Sequence, residues 1–276
     1  MNEKRLKAVL LYTGMVFMSF FSLFPVLWMI AVSLSENPYF LFTGNGFSFT
    51  LNHYATVIFN ESVPFIAYLK NSFIVSLLSG AFATLFASLS AYAVTRMRFP
   101  GKRIIPLGML SISMFPQICI IGYLFQFMAS LKWINTYNAL VFPYIALALP
   151  LGLWVMMSYF SQLPVDLDRA ALVDGASRLQ VIIKILFPIS LPGIFSTFLL
   201  IFIFSFNEFL FALMLTVDCR ARTIPVGIAL FQGLHGQIPW GSVTAAAAIA
   251  SLPPILITLL FQKYIVQGLT EGAVKG

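Results

Sequence analysis

The sequence is poor in charge. Lys and Arg supply 16 of its 276 residues and Asp and Glu 9, so charged residues make up 9%, against about 25% in ordinary soluble domains. The chain is 60% hydrophobic, with a mean hydropathy of +0.93. A water-soluble fold of that composition would expose large apolar patches, which soluble monomers avoid. A soluble globular enzyme is therefore excluded, and so are disordered and collagen-like chains. Cysteine and histidine are scarce too. His53 and His235 lie far apart from each other and from Cys119 and Cys219, which leaves no metal-ligand spacing. Cys119 falls inside an apolar run and Cys219 in a loop, at different depths, so no disulfide is expected. No Gly-rich phosphate-cradling loop followed by Lys is present, so the chain does not bind ATP by that device. No metal, cofactor or nucleophile–base cluster is expected, and catalytic residues are none.

What is present is long uncharged sequence. Uncharged runs cover 8–35, 71–95, 104–131, 133–165, 185–207 and 223–262, with lengths of 28, 25, 28, 33, 23 and 40 residues. A helix needs about 20 apolar residues to cross a bilayer core. Each run holds one span and none comfortably holds two, so the sequence predicts an all-α polytopic membrane protein with six transmembrane helices. The expected helices are Ala8–Ser33, Ser72–Thr95, Ile104–Tyr123, Tyr137–Tyr159, Ile185–Leu215 and Ser242–Ile265, in one membrane domain over 1–276. Runs such as Ile201-Phe202-Ile203-Phe204 do not alternate, which excludes barrel strands. The first apolar run is too long for a signal-peptide core and is followed by no small-x-small site, so it reads as an uncleaved span.

Placing the N-terminus in the cytoplasm puts 12 of the 16 basic residues inside and leaves Lys70, Lys132, Arg220 and Arg222 outside. That bias fits the positive-inside rule and makes both termini cytoplasmic. Topology accounts for the net charge of +7 without a nucleic-acid partner. The outer segment 35–70 carries Tyr39, Phe40, Phe42, Phe47 and Phe49. They read as an aromatic belt at the membrane surface, with stacking on a sugar as the alternative. Short interfacial helices are expected over Leu51 to Ile58 and over Leu124 to Trp133.

The cytoplasmic segment 161–184 has more internal order than a connecting loop needs. Asp166 reads as an N-cap. The pairs Ala170/Asp174 and Ala171/Gly175 share a helical face of short side chains, and Gly175 permits the positive φ that ends a helix. Ser177-Arg178-Leu179-Gln180 then fits a capping box opening a second helix. Spacing alone leaves two readings open: an amphipathic loop, or a docking face for another protein.

Arg169-Ala170-Ala171, three residues, Gly175, nine residues and then Ile185-Leu186-Phe187-Pro188 resemble the Glu-Ala-Ala…Gly…Ile-x-Leu-Pro signature of binding-protein-dependent ABC importer permeases. Asp174-Gly175-Ala176 is typical of the carbohydrate branch. Phe206-Asn207-Glu208-Phe209, Thr223-Ile224-Pro225-Val226-Gly227 and the tail Gly268–Gly276 add to the likeness. It extends over nearly the whole chain and is greatest to the shorter of the two maltose-type permeases. Two positions depart from the pattern: the family Glu is Arg169, although Asp168 stands beside it, and the Leu of Ile-x-Leu-Pro is Phe187.

The resemblance implies an inner-membrane permease subunit, not itself an enzyme, located in a bacterial cytoplasmic membrane. It would form with a second permease the path for a carbohydrate delivered by an extracytoplasmic binding protein. Two ATP-binding subunits would hydrolyse the ATP. Asp168, Arg169, Ala170, Ala171, Asp174 and Gly175 are the expected ATPase-coupling residues. Asn207 and Glu208 are the expected path residues, and Gly272, Lys275 and Gly276 mark the cytoplasmic tail. Glu208 is the single acidic residue deep in an apolar run. Intramembrane charge is costly and usually functional, and capping or hydrogen bonding near the outer end of the fifth span is its structural alternative. Pro188, Pro192, Pro253 and Pro254 are expected to bend spans five and six. A permease for glycerol phosphate or another polyol is the rival within the family. A stand-alone secondary transporter is the rival outside it, disfavoured by the absence of detectable internal repeats.

Overall fold

A computed structural model of the chain describes residues 3–39, 46–60, 62–231 and 238–273. Phe40, Phe42, His235, Lys275 and Gly276 lie outside the described residues. The helices are α1 (Glu3–Ser33), α2 (Asn52–Phe59), α3 (Phe65–Arg96), α4 (Ile104–Ser113), α5 (Gln117–Ser130), α6 (Tyr137–Gln162), α7 (Asp166–Val173), α8 (Arg178–Ile189, with a π-helical turn at Ile182–Leu186), α9 (Leu191–Phe206), α10 (Leu210–Leu215), α11 (Ile224–Ala229) and α12 (Trp240–Ala273). Among the described residues an isolated bridge, Ser35 with Phe49, is the only extended pairing.

Helices α1, α3, α6 and α12 are each long and apolar enough to cross a membrane. The count reaches six when the bent pairs α4/α5 and α8/α9 are each taken as one span. The expected third and fifth spans are therefore not single straight helices. The third bends by 92° between Ser113 and Gln117, earlier than the expected break after Tyr123. Pro116 is extended there, at φ −62° and ψ 123°, and starts a new helix. The fifth bends by 81° at Ser190, between Pro188 and Pro192, and is interrupted again at 207–209. Proline explains the bend at Ser190: it lacks an N–H and its ring clashes with the preceding turn. By contrast, α12 is helical without interruption through Pro253 and Pro254. The interfacial helix expected at Leu51 to Ile58 is α2.

The chain forms two compact units, residues 1–66 with 227–252 and residues 67–226 with 253–276. In the first, α1 buries little of itself and presents Leu10, Leu11, Phe17, Phe20 and Phe21 outward. Its end is tied to α2 by Ser33 Oγ and the Tyr54 hydroxyl at 2.8 Å. In the same unit the His53 ring lies against Gly241, so closely that a Cβ there would come within 2.3 Å of it.

In the second unit a stripe of small residues runs along α3: Ser72, Ser76, Ser79, Ala83, Ala87 and Ala91, all buried. They recur every three or four positions, so they share one face. Lipid is as apolar as a leucine side chain, so membrane helices associate by close packing and small residues allow it. Here α6 and α9 close on that stripe. A Cβ at Gly152 of α6 would meet the Ala87 Cβ at 2.9 Å and Ile201 Cδ1 at 3.0 Å. Ala83, Ala148 and Ile201 form the core of this crossing.

Gly152→Leu forces α6 off α3 and α9, an overpacking that costs about 1–3 kcal/mol. Gly14 has open space around it, so Gly14→Leu leaves the protein unchanged. Thermal unfolding of the purified chain in detergent checks both: Gly152→Leu lowers the midpoint and Gly14→Leu does not.

Candidate functional site

The segment from Leu163 to Leu191 is built from local signals. α7 begins at Asp166, with Val165 rather than Asp166 in the capping position and no side-chain cap. Asp166 and Asp168 instead place negative charge in the first turn, where the helix dipole favours it. Gly175, at φ +83°, closes the helix. The Gly175 N–H donates to Leu172 O at 3.2 Å and the Ala176 N–H to Ala171 O at 3.0 Å, the pair of bonds that defines a Schellman motif. The expected capping box is present: Gln180 N–H donates to Ser177 Oγ at 3.3 Å, and Ser177 N–H to Gln180 Oε1 at 2.7 Å.

The six residues expected to couple to an ATPase do not share one face. Asp168 and Ala171, three apart, are both buried. Ala171 packs in a core with Ala91, Tyr92, Met156, Phe160, Val181 and Leu186, and its small side chain lets α7 lie close to that core. Arg169, Ala170, Asp174 and Gly175 face outward. Arg169 reaches Asp166 at 3.3 Å, with both side chains well exposed, a type of pair worth about 0–1 kcal/mol. Exposed Leu167, Leu172, Val173 and Leu179 accompany the outward residues, Val173 with 86% of its surface accessible. The sequence reading missed this apolar character.

It also missed the partner of Asp168. Arg96, in the last turn of α3, places Nε 3.5 Å from Asp168 Oδ2, and the two side chains are 4% and 8% exposed. The same guanidinium donates from Nη2 to Phe160 O at 3.0 Å and Leu163 O at 2.8 Å. These carbonyls lie at the C-terminus of α6, where helix geometry leaves the final C=O groups unpaired. Burial pushes the Asp168 carboxyl above the ordinary carboxylate value, against the opposing pull of the Arg96 charge.

At the other end of the same unit, the interruption after α9 is held by the acidic residue of the apolar run. Glu208 is 8% exposed. Its Oε1 accepts from the Phe211 N–H at 2.9 Å. Its Oε2 accepts from the Ala212 N–H at 3.2 Å and from the Tyr144 hydroxyl at 2.6 Å. Glu208 thus caps α10 and ties it to α6, the structural alternative that the sequence left open. Asn207 is exposed and donates back to Ile203 O at 2.8 Å. Neither lines the mostly apolar cavity of about 700 Å³ that the α4/α5 bend leaves beside α6, whose walls include Ser111, Gln117, Trp154 and Phe204.

The adjoining loop is fixed from both sides. Asn71 donates to Cys219 O and Arg222 O, each at 2.9 Å, and accepts from the Tyr137 hydroxyl at 2.7 Å. Asn135, at φ +62°, donates from its backbone to Leu215 O at 2.8 Å and from its side chain to Asp218 Oδ1 at 2.7 Å. Hydrogen bonds from Arg220 and then Asn135 hold the Asp218 carboxyl well below its ordinary range.

A helical chain with bent spans, a Gly-terminated helix between spans four and five, and an acidic interruption in span five can be compared with known proteins. Residues 4–271 match the family described as binding-protein-dependent transport system inner membrane component. The chain belongs to that family. It is 54% identical over its full length, and the full length of the relative, to the trehalose/maltose transport system permease protein MalG of Thermococcus litoralis. It is 37% identical to the trehalose transport system permease protein SugB of Mycobacterium tuberculosis, over 93% of each chain. Its fold is similar, with a TM-score of 0.77 at 18% identity, to a solved bacterial ABC transporter involved in import of the acidic polysaccharide alginate, covering 96% of this chain and 98% of that one. The chain is thus a membrane component of a transport system.

For this permease the Glu208 geometry gives a graded prediction. Glu208→Leu leaves two backbone N–H groups and a tyrosine hydroxyl without their acceptor, at about 1–3 kcal/mol for a buried group so orphaned. Glu208→Gln retains one acceptor oxygen. Thermal unfolding in detergent is expected to rank wild type above Glu208→Gln above Glu208→Leu. Equal midpoints for all three would show that the carboxylate does not hold the interruption.

Proposed function

We propose that this chain is the permease subunit of an ATP-driven sugar importer and that its substrate is a small glucose disaccharide of the trehalose or maltose type. The observation that carries the class is the Gly175-terminated helix with an outward apolar face, set in a chain of this family. The substrate rests on two relatives named for trehalose, matched over nearly all of this chain. The permease acts as one domain with a second permease, two ATP-binding subunits that hydrolyse the ATP, and a binding protein that delivers the sugar. The end carrying Arg96, residues 97–103 and α7 faces the cytoplasm, and so do both termini. A sulfoquinovosyl glycerol permease of Agrobacterium fabrum, 34% identical, is the relative that keeps a glycerol-linked substrate as the second reading. Uptake of radiolabelled trehalose, with unlabelled maltose and glycerol 3-phosphate as competitors, decides between them: competition by maltose alone supports the disaccharide, and competition by glycerol 3-phosphate alone refutes it.

In this reading the ATPase meets Ala170, Val173, Asp174 and Gly175, with Leu172 and Leu179 at the margin, while Asp168 and Ala171 hold the helix from behind. Arg169, already beside Asp166, is free to exchange that weak pair for an acidic residue on the ATPase. ATP shifts the two arrangements of the spans only through its differential affinity for them.

Orientation is tested with the native cysteines. Cys119 and Cys219 are both exposed. With Cys119→Ser, Cys219 is expected to react with a membrane-impermeant maleimide in intact cells. Pro100→Cys, in a background lacking both native cysteines, should react only after lysis. The reverse pattern overturns the orientation.

Docking is tested at Gly175. Nothing beyond its chain neighbours lies within 4 Å of a Cβ built there and Gly175 is exposed, so the main cost of Gly175→Leu within the chain is the strain of its positive φ, about 1–2 kcal/mol. The variant is expected to insert and to bind the second permease, but to lose ATPase subunits on affinity purification. Retention of the ATPase at wild-type stoichiometry would place the docking face elsewhere.

A further inference from the structure

Arg96 serves three helices at once. It sits in the last turn of α3, closes the C-terminus of α6 through two carbonyls, and faces the buried Asp168 of α7. The two legs differ. The α6 leg is a pair of hydrogen bonds at 2.8 and 3.0 Å. The α7 leg is an ion pair at 3.5 Å, with no hydrogen-bond partner on Arg96 Nε or Asp168 Oδ1. The first binds α3 and α6 into one unit by directed bonds. The second holds α7 to that unit by charge between two buried side chains. Only a planar fork with several donors can make both legs together; a lysine ammonium is a single point charge.

We propose that Arg96 is the positioning residue for energy coupling, the strut through which displacement of α7 becomes joint movement of spans α3 and α6. This rests on the coupling role proposed for α7 and adds the residue that transmits it. Asp168 and Ala171 are the two buried residues of the short α7 helix. A push on its outward face would rotate it about Ala171 if Asp168 were free. With Asp168 tied to Arg96, the push is carried to the ends of two spans. The arrangement also explains why a costly buried charge is kept at this point: an apolar pair of similar volume could replace the Arg96–Asp168 contact, as buried ion pairs often can be replaced, but it would leave the Phe160 and Leu163 carbonyls without their Arg96 donor. Apolar packing would leave the rotation of α7 unconstrained.

The test uses the whole transporter in vesicles: this chain, the second permease, both ATPase subunits and the binding protein. Radiolabelled trehalose taken up and ATP hydrolysed are measured together. The double variant Arg96→Met with Asp168→Leu keeps the core apolar and filled. It is expected to assemble and to hydrolyse ATP, while sugar moved per ATP falls by about tenfold or more, within the range of known coupling energies. Arg96→Lys, which retains the charge but not the fork, should fall with it, and Asp168→Asn, which spares the α6 leg, should lie between. A double variant with the wild-type ratio of sugar to ATP overturns the strut, because packing alone would then suffice. If the double variant does not assemble, Asp168→Asn decides: a wild-type ratio overturns the proposal and a reduced ratio supports it. Failure of the coupling reading itself looks different, since Gly175→Leu would then retain its ATPase subunits.

Discussion

Every place where a helix stops inside this chain leaves backbone N–H and C=O groups that need partners, and in a membrane water is not available to supply them. An unsatisfied group in hydrocarbon costs several kcal/mol, so irregular backbone survives at that depth only where protein covers it. The polar residues of the second unit are distributed accordingly. Glu208 receives the first N–H groups of α10. Arg96 donates to the last carbonyls of α6. Asn71 and Asn135 answer the carbonyls and N–H groups of the loop after α10. A chain with so few charges spends several of them on its own interruptions.

That constraint links the breaks to function. An unbroken span would satisfy its own backbone between its ends and need no residue such as Glu208 within it. Breaks at Pro116 and Ser190 make bent spans, and bent spans leave space beside their neighbours, as the cavity beside α6 illustrates. The break at Asn207 is tied to another element through Tyr144 of α6 and Glu208, and α3 residues hold both ends of α6. Because α3 and α6 are joined at one end by Arg96 and at the other by Asn71 with Tyr137, they can move together without losing the bonds between them.

The spans were legible because charge marks their ends. Six uncharged runs correspond to the long helices and the bent pairs, with boundaries off by several residues at the start of α3 and the end of α12. The bends were less legible, since hydrophobicity reports the thickness to be crossed and not the direction of the chain. Pro116 in the middle of the third run carried that signal, and the break was instead expected after Tyr123. The Ser177–Gln180 capping box and the positive φ of Gly175 were readable because both are local. The partner of Asp168 was not. Arg96 lies 72 residues earlier and reads in sequence as one more basic residue in a turn that also holds Arg98, Lys102 and Arg103. Nothing local distinguishes the arginine that turns inward from those that remain at the surface.

Helix phase accounts for the remaining surprise, the split of the expected coupling face. Residues three apart in a helix lie on one side, so once Asp168 is drawn to Arg96, Ala171 must point inward with it. Ala170, Val173, Asp174 and Gly175 are then left facing out. The family signature combines two requirements in one short string, a small inward residue for close approach to the core and small outward residues for close approach by a partner. A motif read as a single face is therefore two faces of one helix. The departure at Arg169 is tolerated on the same grounds: it falls on the outward side, paired only with exposed Asp166, where charge costs little. The inward carboxylate beside it, Asp168, faces the one group that can hold it, and its place in the fold is set from inside the chain before any partner arrives.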